Sequence, residues 1–220
     1  AGCVSYRGYY DEAEARALAE RLAREEGLEV RVYGVPAYST LGWLNWAGGD
    51  PLLSTFIRYP EGELARLLFH ELAHQQVYVG GDTAFNESYA TAVERLGVAR
   101  WLSSQAGDAA RREYAAFDAR RQAFRQLVRQ ARAELAAIYE QNRARALTES
   151  ALAAMKSEAM AGFRQRYQAL KASWAAAGTP YDAYDPWVAG ANNAFFGIQA
   201  AYDDGVPAFE ERDARHRTVG

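Results

Sequence analysis

Phe117, Phe124, Val128, Ala131, Leu135 and Ile138 recur at spacings of seven, four, three, four and three, and Leu152, Met155, Ala159, Phe163, Tyr167, Leu170 and Trp174 repeat the habit. Heptad intervals of this kind draw an apolar stripe along one side of a helix. Two such runs in succession predict a long antiparallel helical hairpin, closed at Gly178-Thr179-Pro180. Much of the chain is thereby committed to helix before any other residue is considered.

The N-terminal half mixes two periods. Ala15, Leu18, Ala19 and Leu22 sit at helical spacing in Asp11 to Glu26, with Gly27 as the C-cap. Leu28, Val30 and Val32 then alternate with Glu29 and Arg31, the period of a half-buried strand. A loop rich in glycine and aromatics follows from Gly34 to Pro51, and Leu52 to Tyr59 is a β-prone run that predicts a second strand. Beyond Pro60, Leu64, Leu67, Leu68, Leu72 and Val77 mark a helix from about Glu61 to Val79. Gly80-Gly81 stops it, and Asp82 or Thr83 caps the next, from about Ala84 to Ser104. Near the C-terminus a loop with Tyr181, Tyr184 and Asp185-Pro186 precedes one helix from about Val188 to Tyr202. The expected fold is α+β and mostly α, with a small sheet beside a two-helix core. Its expected parts are residues 1–106, a hairpin over 107–178 and a C-terminal helical segment over 179–220.

Composition narrows the function. Lys and Arg total 25 against 28 Asp and Glu, a net charge of −3 that does not favour a phosphate backbone, so nucleic acid is not an expected partner. No stretch reaches the roughly 18 to 20 apolar residues of a spanning helix. The single cysteine, Cys3, has no partner for an internal disulfide.

Chemistry concentrates in one place. Of three histidines, two lie in His70-Glu71-Leu72-Ala73-His74, which is H-E-x-x-H inside a predicted helix. Residues four apart stand one turn above each other, so both imidazoles point the same way and can hold one metal ion. Zn2+ suits two imidazoles and a carboxylate with one position open, and Glu71 stands beside them to take a proton from water. Glu87, at the start of the next helix, is the candidate third ligand. Glu94 lies seven residues on along the same helix face, where it can accept the outer N–H of a ligand imidazole or simply face water. A metzincin site would need a glycine at 77 and a histidine at 80, where this chain has Val77 and Gly80.

His70 to His74 together with Asn86-Glu87-Ser88-Tyr89-Ala90-Thr91-Ala92-Val93-Glu94 resembles the gluzincin metallopeptidases, whose aminopeptidase N type carries N-E-x-[FY]-A-x-x-x-E after H-E-x-x-H. The spacer of twelve residues between His74 and Glu87 is shorter than theirs, and their G-x-M-E-N amine-binding motif is absent, with Asp50 and Glu94 as possible substitutes. A wider likeness extends over most of the chain. Gly2 to Tyr9, Ala37 to Trp43, Asp50 to Ser54, Phe69 to Tyr78, Asp82 to Ser88 and Asn192-Asn193-Ala194 resemble the bacterial putative zinc aminopeptidase family.

That resemblance implies a zinc-dependent peptidase with a peptide substrate, His70, His74 and Glu87 as ligands and Glu71 as general base. An oxyanion-stabilising group is also expected, with Tyr202, Tyr184, Tyr181 and His216 as candidates and Tyr202 preferred. For any one of fourteen tyrosines, core packing is the competing role. Asn193 either caps a helix or binds substrate, and the run Leu52 to Arg58 either pairs with substrate or is an ordinary strand. Ala1-Gly2-Cys3 looks like the end of a lipoprotein cleavage site, but in the family Gly-Cys-Val lies inside a longer protein. The preferred expectation is therefore a fragment, with Cys3 unlipidated and the whole protein in the bacterial cell envelope. The alternative function is a catalytically idle zinc-binding envelope protein that uses its hairpin as an interaction surface.

Overall fold

The computed structural model describes residues 7–34, 56–203 and 205–218, with side chains described except at 199–204 and 216–218. Eight helices carry the described chain: α1 (Glu12–Glu26), α2 (Glu61–Gln76), α3 (Thr83–Ser104), α4 (Asp108–Arg145), α5 (Glu149–Ala176), α6 (Asp185–Ala189), α7 (Asn193–Asp203) and α8 (Val206–Thr218). Among the described residues there is no strand, so the fold is all-α and the expected α+β class is overturned.

The physical reason shows at Leu28–Val32. Alternation predicts a two-faced segment, but a strand also needs a neighbouring ladder, and here helices supply the partners instead. Asn192 Nδ2 donates to the Val30 carbonyl at 3.1 Å, and the Arg31 guanidinium donates to the carbonyls of Pro186 and Trp187, both at 3.3 Å. Arg31 also lies over the Trp187 ring, 5.0 Å from its centroid. Glu29 accepts from the backbone N–H of Asn193 and pairs with Lys156. Of the second expected strand, residues 52–55 lie outside the described residues, and Phe56 to Tyr59 form a turn closed by the Tyr59 N–H donating to the Phe56 carbonyl.

The chain divides into two compact units. One comprises 1–27, 32–117 and 198–220, the other 28–31 and 118–197, so α4 and α7 contribute residues to both. In the second unit the heptad stripe becomes a core. Phe124, Leu127, Val128, Ala131 and Leu135 of α4 pack in one cluster with Met160, Phe163, Tyr167 and Trp174 of α5 and with Val188, Ala191, Phe195 and Phe196. Each large apolar side chain buried there contributes about 1.5–3 kcal/mol. Residues 146–148 connect α4 to α5, with Ala146 in the left-handed region at φ 47° and the Thr148 hydroxyl accepting from the Ala151 N–H. The helix expected from Val188 to Tyr202 is two helices, α6 and α7. It breaks at Gly190, where a Cβ would come within 2.7 Å of the Arg31 guanidinium, and restarts where Asn192 Oδ1 accepts from the Phe195 N–H.

The first unit is organised by α2 and α3, which run back on each other across residues 77–82. Close approach is possible because position 97 is glycine: a Cβ there would lie 2.6 Å from the Phe69 ring. α8 packs on the start of α3, where the Phe209 ring meets Phe85 and Tyr89 at centroid distances of 5.4 and 5.7 Å. The Ser88 hydroxyl accepts from the Gly205 N–H, and Arg95 pairs with Glu210 at 3.2 Å.

Candidate metal centre

α2 ends at Gln76, and Val77 leaves it with extended backbone (φ −138°, ψ 122°). Asp82 opens α3, its carboxylate accepting from the Phe85 N–H at 2.9 Å. Between them, the side-chain amide of Asn86 clasps Val79 twice: Asn86 Nδ2 donates to the Val79 carbonyl and the Val79 N–H donates to Asn86 Oδ1, each at 2.8 Å. Asn86 is only 3% exposed, so the two bonds form away from solvent and tie the connection to the first turn of α3. The next residue is Glu87.

Glu87 is likewise buried, and it faces both histidines of α2. Its Oε2 lies 3.3 Å from His70 Nε2 and 3.8 Å from His74 Nε2, and the two rings meet edge to face at 5.0 Å. One ligand atom from each of the three residues falls within 4.8 Å of the others, a spread that a single metal ion can bridge. Spacing on α2 aligns the imidazoles, but only the return of α3 brings the carboxylate to them.

The two imidazoles differ behind the cluster. His70 Nδ1 lies 3.0 Å from Glu94 Oε2, and Glu94 in turn accepts from Arg66 Nη1 at 2.9 and 3.0 Å, one bond to each carboxylate oxygen. His74 Nδ1 is buried and has no hydrogen-bond partner among the described residues. Their titration differs accordingly. Burial pushes the His70 pKa down, but the carboxylates of Glu87 and Glu94 outweigh it and hold the group up at about 9. Burial lowers the pKa of His74, with Glu87 opposing and His70 reinforcing the shift. The site thus offers one imidazole favoured in the neutral, coordinating form, beside carboxylates that draw a positive charge to the other. Two imidazoles and a buried carboxylate, with a further carboxylate behind one ring, form a group that could hold a metal ion.

A family model described as putative aminopeptidase matches residues 1–218. The chain belongs to the putative aminopeptidase family. No curated protein and no solved structure matches it.

The other residues singled out from the sequence fall as follows. Glu71 is half-buried on α2. Tyr184 stacks flat on Phe124 at a centroid distance of 4.0 Å and also meets Tyr181 and Trp174, so its ring belongs to the aromatic core of the second unit. Tyr181 packs edge-on to Trp174 there, with Arg120 over its ring at 4.9 Å. Asn193 begins α7; its side-chain amide donates to Tyr139 Oη at 2.6 Å, and its Oδ1 has no partner among the described residues. Tyr202 lies in α7 and His216 in α8, both with side chains outside the description, and Asp50 lies outside the described residues altogether.

Two residues at the centre carry no sequence signal strong enough to single them out. Arg66 stands one turn before His70, a place any solvated arginine on a polar helix face could occupy. Asn86 belongs to the N-E motif, but its partner is a backbone, which no side-chain pattern reveals.

Proposed function

We propose that this protein is a zinc-dependent peptidase, an aminopeptidase that cleaves peptide bonds using Glu71 as general base. The observation that carries the reading is the convergence of His70, His74 and Glu87 with Glu71 directly following the first ligand in sequence. Family membership supports it and supplies the peptide substrate. A zinc ion held by the three ligands would supply Lewis acidity, bringing the pKa of a water towards about 7 and polarising the scissile carbonyl. The Glu71 carboxylate takes one proton from the attacking water and delivers it to the amine nitrogen as the C–N bond breaks, so it ends the cycle as it began. Glu94 accepts the outer N–H of His70 and keeps its other nitrogen turned to the cluster.

Tyr202 is the residue we assign to the developing oxyanion, because the ring of Tyr184 is packed among Phe124, Tyr181 and Trp174. Tyr202→Phe is then expected to lower kcat far more than it raises KM. The place of work we propose, from the family resemblance, is the bacterial cell envelope; among the described residues no helix is long and apolar enough to cross a membrane.

The test is mass-spectrometric mapping of products from a mixed peptide library, comparing zinc-loaded wild type with Glu71→Gln. Single-residue trimming from the N-terminus that disappears in the variant is the expected result. Internal cutting would replace the aminopeptidase assignment with an endopeptidase, and cleavage that persists in Glu71→Gln would remove Glu71 from its role.

A further inference from the structure

Glu94 is a carboxylate only 3% exposed, and a buried charge is costly unless it is paired and hydrogen-bonded. Two of its partners, His70 and Arg66, come from α2. His70 Nδ1 lies on one side, 3.0 Å from Oε2, and Arg66 Nη1 lies on the other, reaching both carboxylate oxygens. Arg66 also pairs with Glu63, whose Oε2 lies 3.4 Å from Nε without a hydrogen bond between them. Glu63, Arg66 and His70 occupy successive turns of α2 and Glu94 sits opposite them on α3, so a line of alternating charge runs from the outer edge of the pair to a ligand imidazole. A nitrogen that bonds both oxygens of a carboxylate limits its rotation about the last side-chain bond. The Glu94 oxygen that meets His70 is therefore fixed by Arg66.

We infer that Arg66 is a positioning residue of the metal centre, locking the Glu94 carboxylate so that it accepts the Nδ1–H of His70 and leaves His70 Nε2 directed at Glu87 and His74. The inference rests on reading His70, His74 and Glu87 as a zinc site. Arg66 touches neither metal nor substrate; it acts through Glu94, and its effect is on how firmly the metal is held.

Zinc affinity of the full chain, measured by competition with a chromophoric chelator, tests this in wild type, Arg66→Met, Arg66→Lys, Glu94→Gln and the Arg66→Met/Glu94→Gln double variant. Loss of such an outer partner costs about 10–100-fold in metal affinity. Arg66→Met is expected to show a loss in that range, Arg66→Lys to recover part of it by restoring a donor and a charge, and the double variant to bind no more weakly than Glu94→Gln alone. In the zinc-loaded protein the His70 Nδ1–H resonance, slowly exchanging in wild type, should exchange faster in Arg66→Met, which a purely structural arginine would not cause. Should Arg66→Met fold poorly, Glu63→Gln, which takes the negative charge from beside the guanidinium and leaves Arg66 in place, is expected to weaken zinc in the same direction by a smaller factor. Arg66→Met or Glu63→Gln binding within about twofold of wild type, or losses that add to that of Glu94→Gln, would overturn the role of Arg66 while leaving the metal site standing. Wild type that binds no zinc would overturn the metal site and this inference with it.

Discussion

The two helix pairs of this protein bury different residues: α2 and α3 bury Ala73, Ala90, Ala92 and Val98 together with a set of polar and charged groups, whereas α4 and α5 bury no charged residue. Between α4 and α5 the buried residues are Phe124, Leu127, Val128, Ala131, Leu135, Met160, Phe163, Tyr167 and Trp174, all apolar or aromatic. Each of the buried polar or charged residues described, His74, Asn86, Glu87, Ser88, Thr91 and Glu94, lies instead on α2 or α3. An apolar interior is the ordinary way to stabilise a helical hairpin. A polar interior is costly, because each group gives up water and regains only what its partners return. The α2 and α3 pair keeps that cost where His70, His74 and Glu87 converge, a concentration expected of a binding site rather than of a scaffold.

The largest effect expected from this contrast is in the apolar pair. Phe163 is fully buried, and Phe163→Ala should lower unfolding free energy by about 3–5 kcal/mol in a urea titration. It should leave the zinc affinity of the folded molecules unchanged; a parallel fall in affinity would mean that the two interiors do not act separately. Next in size is the converse experiment. Zinc at 100 times its Kd should stabilise wild type by about 2.7 kcal/mol, and Glu87→Gln should abolish that increment at the same zinc concentration. An undiminished increment would remove Glu87 from the ligand set.

Asn86→Ala sharpens the comparison further. It strips two bonds from a buried backbone and should cost about 2 kcal/mol of stability while also weakening zinc, because the clasp holds the turn of α3 that carries Glu87. A loss of stability with no loss of affinity would show that Glu87 is positioned by other contacts. The smallest effect concerns charge at the edge of the apolar pair. Asp185 accepts from Lys171 Nζ and from Tyr167 Oη, which hold its carboxyl below the ordinary value of 3.8. A carboxyl depressed in the folded state contributes stability that is present above that ordinary value and is lost as pH falls through the folded one. Wild type should therefore lose more stability than Asp185→Asn between pH 5 and pH 2.5, and equal losses would show the cluster to be energetically silent.

Where one helical period persists, local sequence and structure agree. The heptad stripe of α4 and α5 survives as a core because one set of positions faces the partner helix at every turn. The four-residue spacing of His70 and His74 survives for the same reason, since rise and rotation within one helix are set by local geometry. Alternation at Leu28 to Val32 misleads because a strand exists only with a partner, and Asn192, Arg31 and Glu29 make helical contacts that meet the same groups. The break between α6 and α7 escapes notice because Gly190 is one of several glycines, and its reason is a guanidinium that arrives from far along the chain. Arg66 escapes for a like reason, as its carboxylate partner is 28 residues away on another helix.

Local sequence was enough to set the helices that carry His70, His74 and Glu87, the alignment of the two imidazoles and the membership of the chain in the putative aminopeptidase family. Glu87 was a candidate from its motif, and the packing of α3 on α2 brings it to those imidazoles; packing also chose, of the two roles open to Glu94, the one behind His70, and it alone revealed that Arg66 bonds Glu94. Periodicity determines which residues share a face of one helix. Which residue of a second helix meets that face depends on the turn between them and on how closely the two can approach, and both are consequences of packing.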